Sequence, residues 1–188
     1  MIFFTSDTHF GHTNIIKYCN RPFVDKEEMN KVLIENWNSV VKPEDTVYHL
    51  GDVSFMKQEE SYKILKQLNG RKILIRGNHD KGLGAMRAMG FDEAYEKHSI
   101  TLKNGLEINL SHYPYKQEYE NDPHVRDKLL RRSMSDDGKI LVCGHVHDNW
   151  KVKKGRYAKQ PLINVGVDVW DFKPVSEDEL IKFIEENK

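Results

Sequence analysis

Cysteine is scarce in this chain, at two of 188 residues. That excludes a disulfide framework, so Cys19 and Cys143 read as reduced thiols of a cytoplasmic protein. Cys143 sits inside an apolar run and reads as a buried strand residue. No apolar stretch approaches the ~20 residues of a membrane span, and no membrane partner is expected. The first strand begins near Ile2 and the first residue with chemistry to offer is Asp7, which leaves no room for a removable leader. Net charge is missing as well. Lys plus Arg and Asp plus Glu number 29 each, so no global field draws the chain to nucleic acid or to a lipid surface. Repeats, low-complexity runs and linkers are absent, and the length suits a single domain over residues 1–188. The oligomeric state is left open.

What is present is an alternation of strands and helices. Ile2-Phe3-Phe4, residues 46–50 and residues 72–76 are strand-like apolar runs. Between them lie an amphipathic helix over 25–41, opened by a capping-box-like Asp25 and Glu28, and a second helix over 59–68 closed by Gly70. A short helix near 83–89 follows. This βαβ order predicts a parallel α/β core. Beyond it, residues 99–103 and 106–110 flank Asn104-Gly105, a type I′ hairpin signal, and the second half reads as richer in antiparallel strands. Residues 140–143 and 161–165 are further strands. Ser176 with Glu179 caps a last helix.

Almost every strand runs into a short polar block. In order these are Asp7-Thr8-His9, Gly51-Asp52, Gly77-Asn78-His79-Asp80, Ser111-His112 and Gly144-His145-Val146-His147. Each is weak alone. Together they offer carboxylates, imidazoles and one amide oxygen on loops at strand ends, donors suited to a pair of divalent transition-metal ions. A carboxylate shared by two cations holds them roughly 3.5–4 Å apart, and a bridging water then ionises near neutral pH. A turn after Cys143 would let His145 and His147 serve different ions. Gly51, Gly77 and Gly144 read as tight-turn residues beside the metals.

The ordered blocks resemble the D-x-H, G-D, G-N-H-D/E, H and G-H-x-H pattern of the calcineurin-like metallophosphoesterases, in the compact bacterial and bacteriophage type. The resemblance spans Asp7 to His147. It implies a four-layer α/β/β/α sandwich of two stacked mixed sheets, and a metal-dependent phosphoric ester hydrolase. By position Asp7, His9 and His147 resemble the ligands of one metal and Asn78, His112 and His145 those of the other, with Asp52 bridging both. His79 resembles the residue that contacts phosphate and protonates the leaving oxygen, and Asp80 is suitably placed to fix its tautomer. The mechanism so implied is in-line attack by metal-bound hydroxide. Mn²⁺ is the favoured ion, with Ni²⁺, Fe²⁺ or Zn²⁺ as alternatives. The substrate would be a small phosphomonoester or phosphodiester, a nucleotide among the candidates.

The second block continues Val53-Ser54-Phe55-Met56, without the phosphate-binding Arg of phosphoprotein phosphatases, which argues against phosphoprotein substrates. His12 lies close enough to the first block to touch substrate. His49 reads as a core residue or a support for the site, and His98 and His124 as surface residues. Segment 113–138 is a long polar excursion facing substrate or solvent, with a short helix near 125–132. Its Tyr115, Tyr119, Arg126, Arg131 and Arg132 offer stacking surfaces and phosphate donors, and Arg131 and Arg132 stand with His12 as substrate-binding candidates. Two rival readings remain: a nuclease or RNA-end phosphatase using Arg126, Lys128, Arg131 and Arg132 on a nucleic-acid backbone, and a non-catalytic interaction scaffold of the same fold.

Overall fold

The computed structural model describes residues 1–120 and 127–187. Among them, no helix is long and apolar enough to cross a membrane. The chain runs β1 (Ile2–Thr5), α1 (Thr13–Tyr18), α2 (Lys26–Val40), β2 (Thr46–His49), α3 (Gln58–Leu65), β3 (Arg71–Ile75), α4 (Leu83–Ala88) and β4 (Glu93–Tyr95). It continues β5 (His98–Thr101), β6 (Glu107–Leu110), α5 (Asp127–Arg132), β7 (Ile140–Cys143), β8 (Val152–Lys154), β9 (Pro161–Asn164), β10 (Val175–Ser176) and α6 (Glu177–Glu186).

Two mixed five-stranded sheets result, ordered β10-β1-β2-β3-β4 and β5-β6-β7-β9-β8. Strands β1 to β4 are parallel and β10 caps their edge antiparallel. In the second sheet β6, β7 and β9 are parallel, and only the outer β5 and β8 run antiparallel. The expectation of an antiparallel second half therefore holds for the edges and not for the centre. Three strands escaped the sequence reading, β4, β8 and β10, each of two or three residues. Runs that short show too little alternation to be read.

Because side chains alternate across a strand, each sheet serves two cores. Phe3, Val47 and Leu74 face a layer built from Ile15, Met29, Leu33, Trp37, Ile64 and Met86 of α1 to α4. Their neighbours Phe4, Tyr48 and Ile75 face the second sheet, against Ile108, Leu110, Ile140, Val142 and Ile163, with Leu180 and Ile184 of α6 joining this cluster. Leu141, Cys143 and Leu162 point outward again and are covered by Tyr115, Met134 and Trp150. Each fully buried large side chain in these layers contributes about 1.5–3 kcal/mol.

Local signals explain the boundaries. Asp25 accepts from Glu28 N at 2.8 Å, and Glu28 reaches back to Val24 N at 2.6 Å, opening α2. Ser176 and Glu179 form the reciprocal cap of α6. The β5–β6 hairpin differs from its expected type. Only Gly105 has positive φ, and Gly105 N bonds Leu102 O at 2.8 Å while Leu102 N bonds Leu106 O at 2.9 Å. That is a three-residue loop with a left-handed glycine at its bulge; a two-residue type I′ turn would require Asn104 left-handed too.

Candidate functional site

In parallel strands the carboxyl ends lie on one side, and every polar block follows such an end: β1, β2 and β3 in the first sheet, β6 and β7 in the second. A sixth, β9, leads through Gly166 to Asp168. Six loops from two rigid sheets thus converge where the sheets meet, with Ser6 bridging to Gly166 across them.

All seven metal-ligand candidates are brought together. One donor atom each from Asp7, His9 and His147 lie mutually within 4.8 Å, and so do donors of Asp7, Asp52 and His112. Asn78 Oδ1 lies 3.0 Å from both His112 Nε2 and His145 Nδ1. His145 thus faces Asn78 while His147 faces Asp7 and His9, so the two rings of the G-H-x-H block do diverge. Five of the seven, Asp7, His9, Asp52, His145 and His147, have φ between 49° and 71°. Such left-handed backbone costs a non-glycine residue about 1–3 kcal/mol and persists only where surroundings over-determine it, most often at functional sites.

Burial makes the cluster unlike an ordinary polar core. Asp7 is fully buried, yet its Oδ1 has no hydrogen-bond partner, and neither has His9 Nε2. Unsatisfied buried donors and acceptors are rare and call for a physical reason. A cation is the group that would satisfy both a carboxylate oxygen and an imidazole nitrogen, so the residues fit the metal pair that the motifs imply. Burial alone would raise the Asp7 pKa, but the imidazoles of His9, His112 and His147 hold it below the usual carboxylate range. Burial and the neighbouring His112 lower the His145 pKa to about 4. His147 goes the other way. Burial opposes its protonation, but Asp168, 3.3 Å from Nδ1, together with Cys19 and Asp7, pushes its pKa up to about 10.

The glycines beside the cluster act mainly by leaving space. Only Gly51 has positive φ. A Cβ on Gly77 would lie 2.2 Å from Asp52 Oδ1, and one on Gly144 would lie 2.0 Å from Ser6 Oγ and 2.4 Å from Asp7 Oδ2. The turn reading therefore holds for Gly51, whereas Gly77 and Gly144 permit loops from different strands to touch.

The Asp80 carboxylate has another task than the one expected of it. It does not bond the His79 ring. Oδ2 accepts from Asp52 N (2.9 Å) and Gly77 N (2.8 Å), and Oδ1 from Val53 N (3.0 Å). It clamps the β2 loop to the β3 loop. Burial and the Asp52 charge raise its pKa, against the pull of the Val53 and Gly77 amides. His79 is half-exposed, with Nε2 3.9 Å from Asp52 Oδ2 and its ring 4.7 Å from that of Phe55. His12 also stacks on Phe55, at 3.9 Å, and its Nδ1 is 3.3 Å from His9 Nδ1. Burial and the His9 charge lower its pKa to about 4, so it stands neutral at the rim.

His49 is a buried support. It accepts from Gly51 N at Nδ1 (3.2 Å) and pairs through Nε2 with Thr8 Oγ1 (3.0 Å), whose hydroxyl donates to Val53 O (2.9 Å). Burial drives its pKa down to about 3, so the neutral tautomer that fits this chain is the one present. His98 is half-buried and stacked on Tyr95 at 4.5 Å.

The described part of the excursion is largely structural. Tyr115 is buried, its hydroxyl bonded to Asn109, Asp137 and Lys139 O, so it offers no stacking face. Arg132 Nη2 donates to Gly77 O at 2.8 Å and its guanidinium lies 5.5 Å from the Tyr113 ring centre. It reaches the site by holding the Asn78 loop. Arg131 is exposed on the same helix, and no hydrogen bond or ion pair among the described residues ties it to the cluster. His124, Arg126 and the start of the helix expected over 125–132 lie outside the described residues.

Two residues of the site escaped the sequence reading. Arg21 is buried, forks onto Asp168 (Nε–Oδ1 2.7 Å, Nη2–Oδ2 3.0 Å), and donates to the carbonyls of Asp7 (2.7 Å) and Thr8 (3.0 Å). It ties the β1 loop to the β9 loop. Asp168 in turn fixes the His147 ring through Nδ1, the usual support for an imidazole ligand. Asp168 repeats the strand–glycine–aspartate signal of Gly51-Asp52, with Val167 inserted, a signal that points to it. Arg21 sits in an irregular polar stretch with no such signal.

A model of the calcineurin-like phosphoesterase superfamily domain matches residues 1–172, and the chain belongs to that family. It is 42% identical to an uncharacterised protein of Methanocaldococcus jannaschii, over 100% of this chain and 93% of that one. It is 31% identical to the gene 66 protein of Mycobacterium phage L5, over 96% and 92% of the two. A crystal structure of a protein of unknown function from Aquifex aeolicus, 38% identical, superposes with a TM-score of 0.72 over 97% of this chain and 98% of that one.

Proposed function

We propose that this member of the calcineurin-like phosphoesterase superfamily is a cytoplasmic hydrolase of a small phosphate ester, working with two divalent cations. The observation that supports this most is the convergence of seven donors from five loops, with Asp7 Oδ1 and His9 Nε2 buried and unsatisfied. Asp7, His9 and His147 would hold one cation and Asn78, His112 and His145 the other, with Asp52 shared. Bound there, Mn²⁺ or a similar ion would neutralise phosphoryl charge and lower the pKa of a coordinated water.

The chain's own residues supply the rest. His79 stands at the open face, where its half-exposed ring can give a proton to the departing oxygen. Its backbone N–H donates to Asp52 Oδ1 at 2.9 Å, which fixes the shared carboxylate and the acid relative to each other. Asp80 and Arg132 hold the loops bearing Asp52 and Asn78, and Arg21 and Asp168 do the same for Asp7 and His147. His12, neutral beside Phe55, is placed to meet the substrate.

The test is hydrolysis of bis(p-nitrophenyl) phosphate and p-nitrophenyl phosphate by chelator-treated protein, with each of Mn²⁺, Ni²⁺, Fe²⁺ and Zn²⁺ added back. Activity restored by at least one ion and abolished by Asp52→Ala supports the reading. Failure of all four ions on both esters contradicts it and favours the scaffold.

A further inference from the structure

Two cavities with no lining residue in common border the cluster, one at His79 and the other at His145. One, of about 210 Å³, is walled by Phe55, His79, Lys81 and Met86. The other, of about 250 Å³, is walled by His145, Val146, Asn149, Trp150 and Lys153. Each is smaller than the ~300–1,000 Å³ of a site enclosing a whole drug-sized ligand, and each suits one arm of a molecule. A phosphomonoester has a single ester arm and would leave one cavity without use.

The second cavity has definite chemistry. Trp150 packs its apolar side on the Leu141–Leu162 cluster and remains partly exposed. Asn149 is exposed and offers an amide donor and acceptor. The Lys153 ammonium is met by Glu118 at 2.7 Å, whose carboxylate is buried, so among the described residues of the wall this cation is already paired. An aromatic face, an amide and a neutralised cation suit an uncharged planar heterocycle. The wall is also rigid and registered to the centre. Asn164, fully buried, donates through Nδ2 to His147 O at 2.7 Å and to Trp150 O at 2.8 Å, so one side chain ties the backbone of a proposed metal ligand to the backbone of Trp150.

Resting on the phosphoesterase reading above, we propose that the substrate is a phosphodiester whose retained arm bears a nucleobase-like ring seated against Trp150 and Asn149, while the leaving alcohol lies beside His79 and Phe55. Hydrolysis then breaks the P–O bond on the His79 side. The electron pair departs with the alcohol oxygen, which takes a proton from His79, while the attacking water gives up one proton to solvent and its oxygen stays on phosphorus, giving a nucleoside monophosphate.

Three chromogenic esters with one leaving group test this: p-nitrophenyl phosphate, methyl p-nitrophenyl phosphate and thymidine 5′-(p-nitrophenyl phosphate), each with Mn²⁺. Stacking of a base on an aromatic face corresponds to about 5- to 150-fold in binding. The thymidine diester should exceed the methyl diester in kcat/KM by about tenfold or more, with thymidine monophosphate as product. Trp150→Ala or Asn149→Ala should lower the thymidine-to-methyl ratio, chiefly through KM. Asn149→Ala removes only an exposed side chain, so it reads the subsite even if Trp150→Ala unsettles the fold. Equal kcat/KM for the two diesters, a preference for the monoester, or a ratio unmoved by both variants would overturn the proposal. No hydrolysis of any ester with any ion would instead overturn the phosphoesterase reading, and this proposal with it.

Discussion

Asp80 separates two accounts of the site, because its carboxylate either orients His79 or builds the frame around Asp52. The structure gives it three backbone donors, Asp52 N, Gly77 N and Val53 N, at 2.8–3.0 Å, and buries it to 7% exposure. Asp80→Ala leaves those amides without acceptors. A buried unsatisfied donor costs about 1–3 kcal/mol, and relaxation makes three of them less than additive, so a loss of about 3–5 kcal/mol is expected. That approaches the whole stability of many domains. Asp80→Asn is the gentler probe. Its amide oxygen can keep the Asp52 and Gly77 pair, but its NH₂ then meets Val53 N–H donor to donor, for about 1–3 kcal/mol. Urea unfolding of the metal-free protein measures that term. Calorimetric titration with Mn²⁺ then shows whether the frame matters: both binding steps should weaken, since the clamp sets Asp52 and the Asn78 loop together. Turnover should fall by the same factor for good and poor leaving groups. If Asp80→Asn keeps full Mn²⁺ affinity and loses activity only on poor leaving groups, Asp80 acts through the His79 ring and the clamp argument fails.

His79→Ala should retain metal and lower turnover by roughly 10²–10⁴-fold on alkyl esters, and by less on nitrophenyl esters; equal losses on both would mean that His79 only positions phosphate. In the metal-free protein His147 holds a proton to about pH 10, so a cation taking that nitrogen must displace it. Affinity at this site should fall about tenfold for each unit the pH drops below 10, and His147 should release about one proton at pH 7. Calorimetry in buffers of different ionisation enthalpy measures the release, and Asp168→Asn should reduce it; release unchanged by Asp168→Asn would remove the assigned cause. Gly144→Ala, whose Cβ would meet Ser6 Oγ at 2.0 Å, should cost about 1–3 kcal/mol in thermal unfolding and weaken metal binding. A variant with wild-type stability and affinity would show that the Ser6–Gly144 contact is slack.

The five polar blocks were legible because each sits at the end of an apolar run, and parallel strand ends place such residues together whatever the intervening sequence. The same logic reaches Asp168, one residue further from its glycine. The left-handed backbone at Asp7, His9, Asp52, His145 and His147 was not legible. Asp and His tolerate that region better than most residues, but nothing local dictates it; the packing of six loops does. Asp80 and Tyr115 have other tasks than those expected of them, for a common reason. A polar side chain beside a functional block looks functional in sequence, and only the fold shows that its atoms are already committed to backbone or to neighbouring side chains. The hairpin at Asn104-Gly105 was found, but its turn type depends on φ at Asn104, which the dipeptide does not fix.

On the reading proposed above, one cluster built around Asp52 holds two cations. Equilibrium dialysis of chelator-treated protein against Mn²⁺, with metal counted per chain, tests it most directly when wild type is run beside His9→Ala and Asp52→Asn. Saturation is expected near two ions for wild type and near one for His9→Ala, with a fall at both sites for Asp52→Asn. Saturation of wild type at one ion, or an Asp52→Asn protein that still fills both sites with unchanged affinity, would contradict it.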